Sequence, residues 1–176
     1  VSVSVRQAGP ADAAALAPVA ADTFALACPP GTGPRSIADF IARHLSQERF
    51  EGYLADSERD IRLAFDGDEA AGYTMLVFGE PHAPEVAAAI THRPTVELSK
   101  VYVLGHHHGA GVAATLMSAT LAAARERGAT GVWLGVNQHN ARALRFYEKS
   151  GFAIVGTKTF LVGQELNDDF VMEQAL

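Results

Sequence analysis

The sequence predicts a mixed α/β fold, a single sheet with helices on both faces. Three observations carry this. Strand-like and helix-like segments interleave in the order strand, helices, hairpin, strand, helix, strand, helix, strand, strand. Gly, Pro and Asn turn signals separate them, with no linker-like stretch, low-complexity tract or internal repeat. The 176 residues, 48% of them hydrophobic, are enough for one domain (residues 1–176) with a proper core. About seven strands are expected, and the central strand-helix-strand over 96–136 should be a right-handed parallel crossover.

Taken in order, residues 3–6 alternate Val with polar residues, a short strand pattern. Residues 10–27 are Ala-rich and read as a helix, with Pro18 expected to break or kink it. "CPPGTGP" over 28–34 is a loop by composition. Ser36 and Asp39 resemble a capping box, opening a helix through Ile37, Phe40, Ile41 and Leu45. A short helical piece comes next, over 47–54. "DIRLAFDGDEAAGYTMLVFG" holds two strand runs about Asp66-Gly67, a hairpin turn signal. Residues 79–94 carry three prolines and read as an excursion loop. A strand is expected over 96–104. The helix over 111–127 is supported by the spacing of Val112, Leu116, Ala119 and Ala123, and Gly128 caps its end. Residues 131–136 form a buried-type strand with the sole tryptophan, Trp133. Asn140 can cap a helix through Tyr147 that ends at Gly151, and two strands are expected over 152–162 and 170–176.

Bulk properties exclude several functions. The formal charge of −6 argues against a nucleic-acid binder, which needs clustered Lys and Arg. It is compatible with a small cationic substrate. Charges interrupt every apolar run before it could span a membrane. The opening "VSVSVRQAGP" lacks the basic-then-apolar order of a secretion signal. One cysteine, Cys28, excludes an internal disulfide framework and fits a reducing cytoplasm.

The segment "VYVLGHHHGAGVAATLM" sets a glycine-bearing turn between a strand and a helix. A helix start leaves backbone N–H groups without partners at an electropositive end, and glycines let an anion approach them. The stretch is thus either a phosphate cradle or a plain strand-to-helix turn. A P-loop fails, because no Gly-Lys-Ser/Thr is present after it. The dinucleotide fingerprint fits literally at Gly109, Gly111 and Ala114, but the next strand ends at Asn137 without the required acid. His106, His107 and His108 suggest a metal site, yet consecutive side chains diverge, and a polar loop is the better account. No metal is expected. The other histidines, His44, His82, His92 and His139, are scattered.

One strand later comes "WLGVNQHNARALRFYEKSGF". Together the two segments resemble the GCN5-related N-acetyltransferase (GNAT) superfamily. Its acetyl-CoA loop, Arg/Gln-x-x-Gly-x-Gly/Ala, is matched by His108, Gly111 and Ala113. Its later signature is met by Asn140, Ala143, Phe146, Tyr147, Gly151 and Phe152, and the preceding strand by "VELSKVYV". The element order matches over the whole chain. "IADFIARHLSQERFEGYLAD" and the C-terminal "VGTKTFLVGQELNDDFVMEQAL" are similar to the PaiA-type diamine and polyamine acetyltransferases. His108 departs from the pattern: the backbone donors survive, but an unperturbed imidazole, pKa about 6.5, does not supply a fixed positive charge.

The resemblance implies an acetyl-CoA-dependent N-acetyltransferase that acts on a small-molecule amine in a ternary complex. Tyr147 would donate a proton to the coenzyme A sulfur; its other reading is a core aromatic. Glu97 would accept the amine's proton; its other reading is a solvent-facing strand glutamate. Asn140 would contact the coenzyme A arm, or simply cap a helix. Val101 and Val103 would offer backbone groups to the pantetheine arm. His108, Gly109, Ala110, Gly111, Ala113 and Ala114 would surround the pyrophosphate. Asp168 and Asp169 read either as a solvated turn or as the lining of a polycation site. Transfer to a protein N-terminus, a lysine, an antibiotic or an amino acid stays open, as does a silent acyl-CoA-binding module. A homodimer rests on the resemblance alone.

Overall fold

A computed structural model describes residues 3–107 and 111–176, with the backbone alone given for His106. Seven strands form one mixed sheet in the order β1-β2-β3-β4-β5-β7-β6. They are β1 (Val3–Gln7), β2 (Arg59–Asp66), β3 (Glu69–Phe78), β4 (Thr95–Val103), β5 (Gly131–Asn137), β6 (Ala153–Val162) and β7 (Glu165–Ala175). All neighbours are antiparallel except β4 and β5, the pair joined by the central crossover helix. Helices α1 (Ala13–Ala27), α2 (Pro34–His44), α3 (Gln47–Ala55) and α4 (Pro84–Ala89) cover one face, and α5 (Val112–Glu126) and α6 (Ala141–Lys149) the other.

Each face is closed by side chains at the period its element dictates. Leu16, Ala20 and Phe24 recur every four residues along α1 and meet Leu63, Tyr73 and Met75 of the sheet. Val112, Leu116 and Met117 of α5 turn the opposite way, onto Ala64, Ala71 and Leu98. A buried Leu or Phe at such positions contributes about 1.5–3 kcal/mol. Thr74 and Thr120, both fully buried, join β3 to α5 through their hydroxyls at 2.7 Å.

Four expectations change. Pro18 does not break α1, which runs unbroken past it. Ala14, whose carbonyl loses its helical donor to the proline, is exposed, so that carbonyl can turn to water. The Ser36–Asp39 box does not start α2. The helix begins at Pro34, whose fixed φ suits a first helical turn, while the Gly33 N–H donates to Glu165 Oε1 at 3.0 Å. The loop over 79–94 contains α4, which buries Val86 and Ile90 against Trp133 and Val171. The last strand starts at Glu165, not at 170. Gly163, at φ +61°, makes a two-residue turn, and Val162 pairs at once with Glu165. Asp168 and Asp169 therefore sit within β7.

Candidate active site

The site arises where the parallel pair parts. β4 and β5 are in register only from Thr95 opposite Gly131 to Glu97 opposite Trp133. Beyond that point the strands diverge, and a cleft of about 510 Å³ opens between them. This is a size usual for ligand pockets. From Lys100 to Val103, β4 pairs with β3 and not with β5. An extended ligand could run beside it as a strand would.

A bulge decides which side chains enter. Across β3, Leu76 faces Leu98 while Met75 faces Lys100, so Ser99 has no opposite residue. The extra residue inverts the alternation. Val96 and Leu98 point to the α5 face, and so do Val101 and Val103. Glu97, Lys100 and Tyr102 share the α1 face and line the cleft. From the same face β5 contributes Gly135 and Asn137, β6 Lys158 and Phe160, and β7 Asp169. Phe24 and Phe40, stacked at 4.3 Å, close this end with Cys28.

The charged groups here are shielded to different degrees, Asp169 buried and Glu97, Lys100 and Lys158 half-buried. Burial raises the Glu97 carboxyl above the usual carboxylate range, against the pull of Lys158 and Lys100. Burial pushes the Lys100 ammonium down to about 8 despite Glu97. Asp169, 5% exposed, stands 3.6 Å from Lys158 Nζ; burial raises its pKa and Lys158 opposes the rise. Gly135 is what lets Lys158 lie across β5: a Cβ there would come within 2.5 Å of Lys158 Cε.

From the other face α6 brings in Tyr147, alongside Ala143 and Phe146. Asn140 Oδ1 caps this helix by accepting from the Ala143 N–H at 3.1 Å. Tyr147 packs on Phe146 and Phe152 at ring distances of 5.6 and 5.9 Å. Its hydroxyl makes no hydrogen bond among the described residues. Burial pushes the phenol up to about 12. The ring is packed, as the core-aromatic reading expects, and the residue also lines the cleft.

The proposed pyrophosphate end lies at the start of α5. His108, Gly109 and Ala110 are outside the described residues. Gly111 takes φ +82°, the left-handed region that glycine enters freely, and a Cβ there would meet nothing within 4 Å. Its carbonyl accepts from the Thr115 N–H and Oγ1–H at 3.0 and 2.8 Å. Ala113 lines the cleft; Ala114 is exposed and outside the lining. His107 turns away from the cleft toward the β2–β3 hairpin, with Nδ1 3.0 Å from Asp66 Oδ2. Among the described residues no three His, Cys, Asp or Glu side chains gather as a metal site would need.

Of the residues expected from the sequence, Glu97, Val101, Val103, Ala113, Asn140 and Tyr147 all line this one cleft. Lys100, Tyr102 and Lys158 line it too without having been expected, and Asp169 settles on the lining, not on a turn. Among the described residues, the parted strands and the Tyr147 hydroxyl without a hydrogen-bond partner leave room for a linear group beside β4, as the arm of coenzyme A would need.

Comparison with known proteins agrees with this geometry. The model of the acetyltransferase (GNAT) family matches residues 22–152. An uncharacterized N-acetyltransferase of Mycobacterium tuberculosis is 47% identical over 165 residues, covering 94% of this chain and 98% of the relative. Streptothricin acetyltransferase of Streptomyces lavendulae is 34% identical over 111 residues, 63% of this chain and 52% of that protein. Among solved structures, PaiA N-acetyltransferase from Thermoplasma acidophilum in complex with coenzyme A superimposes with a TM-score of 0.79 at 18% identity, covering 100% of both chains. No helix among the described residues is long and apolar enough to cross a membrane.

Proposed function

We propose, for a chain that belongs to the GNAT acetyltransferase family and uses acetyl-CoA as its co-substrate, that it acetylates the primary amine of a small molecule by direct attack in a ternary complex. The observation that supports this is the parting of β4 from β5, with Glu97 and Tyr147 both lining the single cleft that opens there. Acetyl-CoA supplies an activated thioester carbonyl. The chain's own residues do the rest. An alkyl ammonium titrates near about 10.4, so the amine must shed a proton before it can attack. Glu97 accepts that proton; its raised pKa brings it closer to the working pH, where a general base is most effective. Tyr147 keeps a proton on its phenolic oxygen, available to the thiolate that leaves. Backbone groups of β4 near Val101 and Val103 hold the pantetheine arm. Asn140 contacts the coenzyme A arm, and His108, Gly109, Ala110, Gly111, Ala113 and Ala114 surround the diphosphate, as the family likeness implies.

The same proposal takes residues 1–176 as one catalytic domain in a reducing cytoplasm. A homodimer belongs to it too, supported by the exposed Leu161 and Leu166 of the β6–β7 hairpin. A diamine or polyamine is the acceptor implied by likeness to PaiA, and the two lysines in the cleft weigh against it. A thermal-shift comparison of acetyl-CoA, NADH and ATP tests the assignment. A ligand held by the native state at a hundred times its Kd stabilises by about 2.7 kcal/mol. Acetyl-CoA alone is expected to raise the melting temperature; no rise at saturation overturns the assignment.

A further inference from the structure

The cleft holds a cation that no ion pair engages among the described residues. Lys100 is half-buried on β4, Glu97 attracts it from a distance, and no carboxylate oxygen of the described residues comes within 4.0 Å of its Nζ. Its Nζ lies 5.9 Å from the centre of the Tyr53 ring. The second lysine, Lys158, already has Asp169 at 3.6 Å and the Phe160 ring at 5.0 Å. Glu97 shares a face with Lys100, one pleat repeat away once the Ser99 bulge is counted, or about 7 Å along the strand. Positive groups lie near Lys100, as well as Glu97. Burial lowers the Lys100 pKa, Glu97 opposes the shift and Arg59 adds to it; burial likewise lowers the His44 pKa, with Lys100, Arg49 and Arg43 acting in the same sense.

A buried charge costs free energy unless something pairs with it, and a chain rarely leaves one so without use. Among the described lining residues, Asp169 is already paired with Lys158 and Glu97 is the remaining carboxylate, so a second ammonium has no carboxylate of its own. An acceptor amine held at Glu97 and bearing another cation would press that cation on Lys100 or on the paired Lys158. Like charges so placed repel, the more so where water is partly excluded. A carboxylate in the same place meets an unengaged ammonium. We propose that the acceptor is an amine that also carries a carboxylate, with Glu97 facing the amine and Lys100 binding the carboxylate. Lys158, held over Gly135 by Asp169, fills the rest of that wall. The inference rests on the acetyl-transfer reading and narrows its acceptor to amino-acid-like molecules.

The test is an acetyl-CoA-dependent assay of thiol release. Amino acids are each compared with their carboxamide and their decarboxylated amine, at fixed pH and salt. The expected result is kcat/KM at least about tenfold higher for an acid than for its amide and its amine, the difference lying in KM. In Lys100→Met the acid-to-amide ratio falls toward one, and Lys100→Arg restores part of it. Acid and amide equal in the native enzyme, a decarboxylated amine preferred, or no release from any acid, each overturns the inference. The native-enzyme comparison decides even where Lys100→Met does not fold. Stabilisation by acetyl-CoA, measured alongside, separates the two failures. With it, the family chemistry stands and only the acceptor class is wrong; without it, the transfer reading itself has failed.

Discussion

Replacing Tyr147 by Phe removes a single oxygen, and its surroundings separate the effect on stability from the effect on rate. The ring contacts with Phe146 and Phe152, at 5.6 and 5.9 Å, survive the change. The hydroxyl has no hydrogen-bond partner among the described residues, so its loss leaves no donor or acceptor stranded. The change in stability should stay within about 0.5 kcal/mol, which for a domain of this size is under about 2 °C in melting temperature. Catalysis should behave otherwise. Loss of a positioned acid lowers rate by roughly 10²–10⁴, or about 2.7–5.5 kcal/mol of barrier. Because burial pushes the phenol up to about 12, it stays protonated across the working range, and the native enzyme should show no alkaline fall in kcat that belongs to this group. The assay is thiol release at saturating acetyl-CoA, with calorimetric titration of coenzyme A and a melting curve on the same preparation. A kcat within about threefold of native would strip Tyr147 of its acid role. A fall of more than about 4 °C would show that the hydroxyl has a structural partner instead.

Two more outcomes are expected of buried groups. In the Thr74–Thr120 pair, the Thr120 hydroxyl donates to the Leu116 carbonyl at 2.7 Å, so Thr74 must supply the proton between the two side chains. Thr120→Val should therefore cost about 1–3 kcal/mol by stranding the Thr74 hydroxyl, while Thr74→Val with Thr120→Val should cost less than the single change; a larger loss in the double variant, by denaturant titration, contradicts this. Glu97 has a folded pKa raised by burial, so the fold binds its proton more tightly than the unfolded chain does. Its contribution to stability is present in full below the ordinary glutamate value and is lost as pH rises through the folded value. Glu97→Gln should accordingly gain stability relative to the native chain as pH rises, and should lose the acid limb of the kcat profile; an unchanged limb would assign the base elsewhere.

The reach of the sequence ends at register. Apolar period locates β2, β3, β5 and α5 within a residue or two, because each buries one face and no other phase would. The α6 segment is legible from its helical cap and from family likeness together, and Asn140 does cap it. Lys100 escapes that reading although a signal exists. In "VELSKVYV" the inward apolar positions are Val96 and Leu98, then Val101 and Val103, so the parity changes in between. A strand that changes parity must contain a bulge, and the bulge at Ser99 is what sends Lys100 to the side of Glu97. The Lys158–Asp169 pair hangs on a similar count. Once a two-residue turn is set at Gly163, strict antiparallel pairing back from Val162 and Glu165 brings Lys158 opposite Asp169. Reading "NDD" as a turn forfeits that count, since polar residues on an edge hairpin look like loop when only composition is weighed. That Glu97 and Tyr147 line one cleft is a fact of another kind. It depends on where two parallel strands stop pairing, and no local pattern in either strand encodes that point. Only the exposed Gly135 in an otherwise buried run hints at it, a strand position kept bare so that a lysine from two strands away can lie across it.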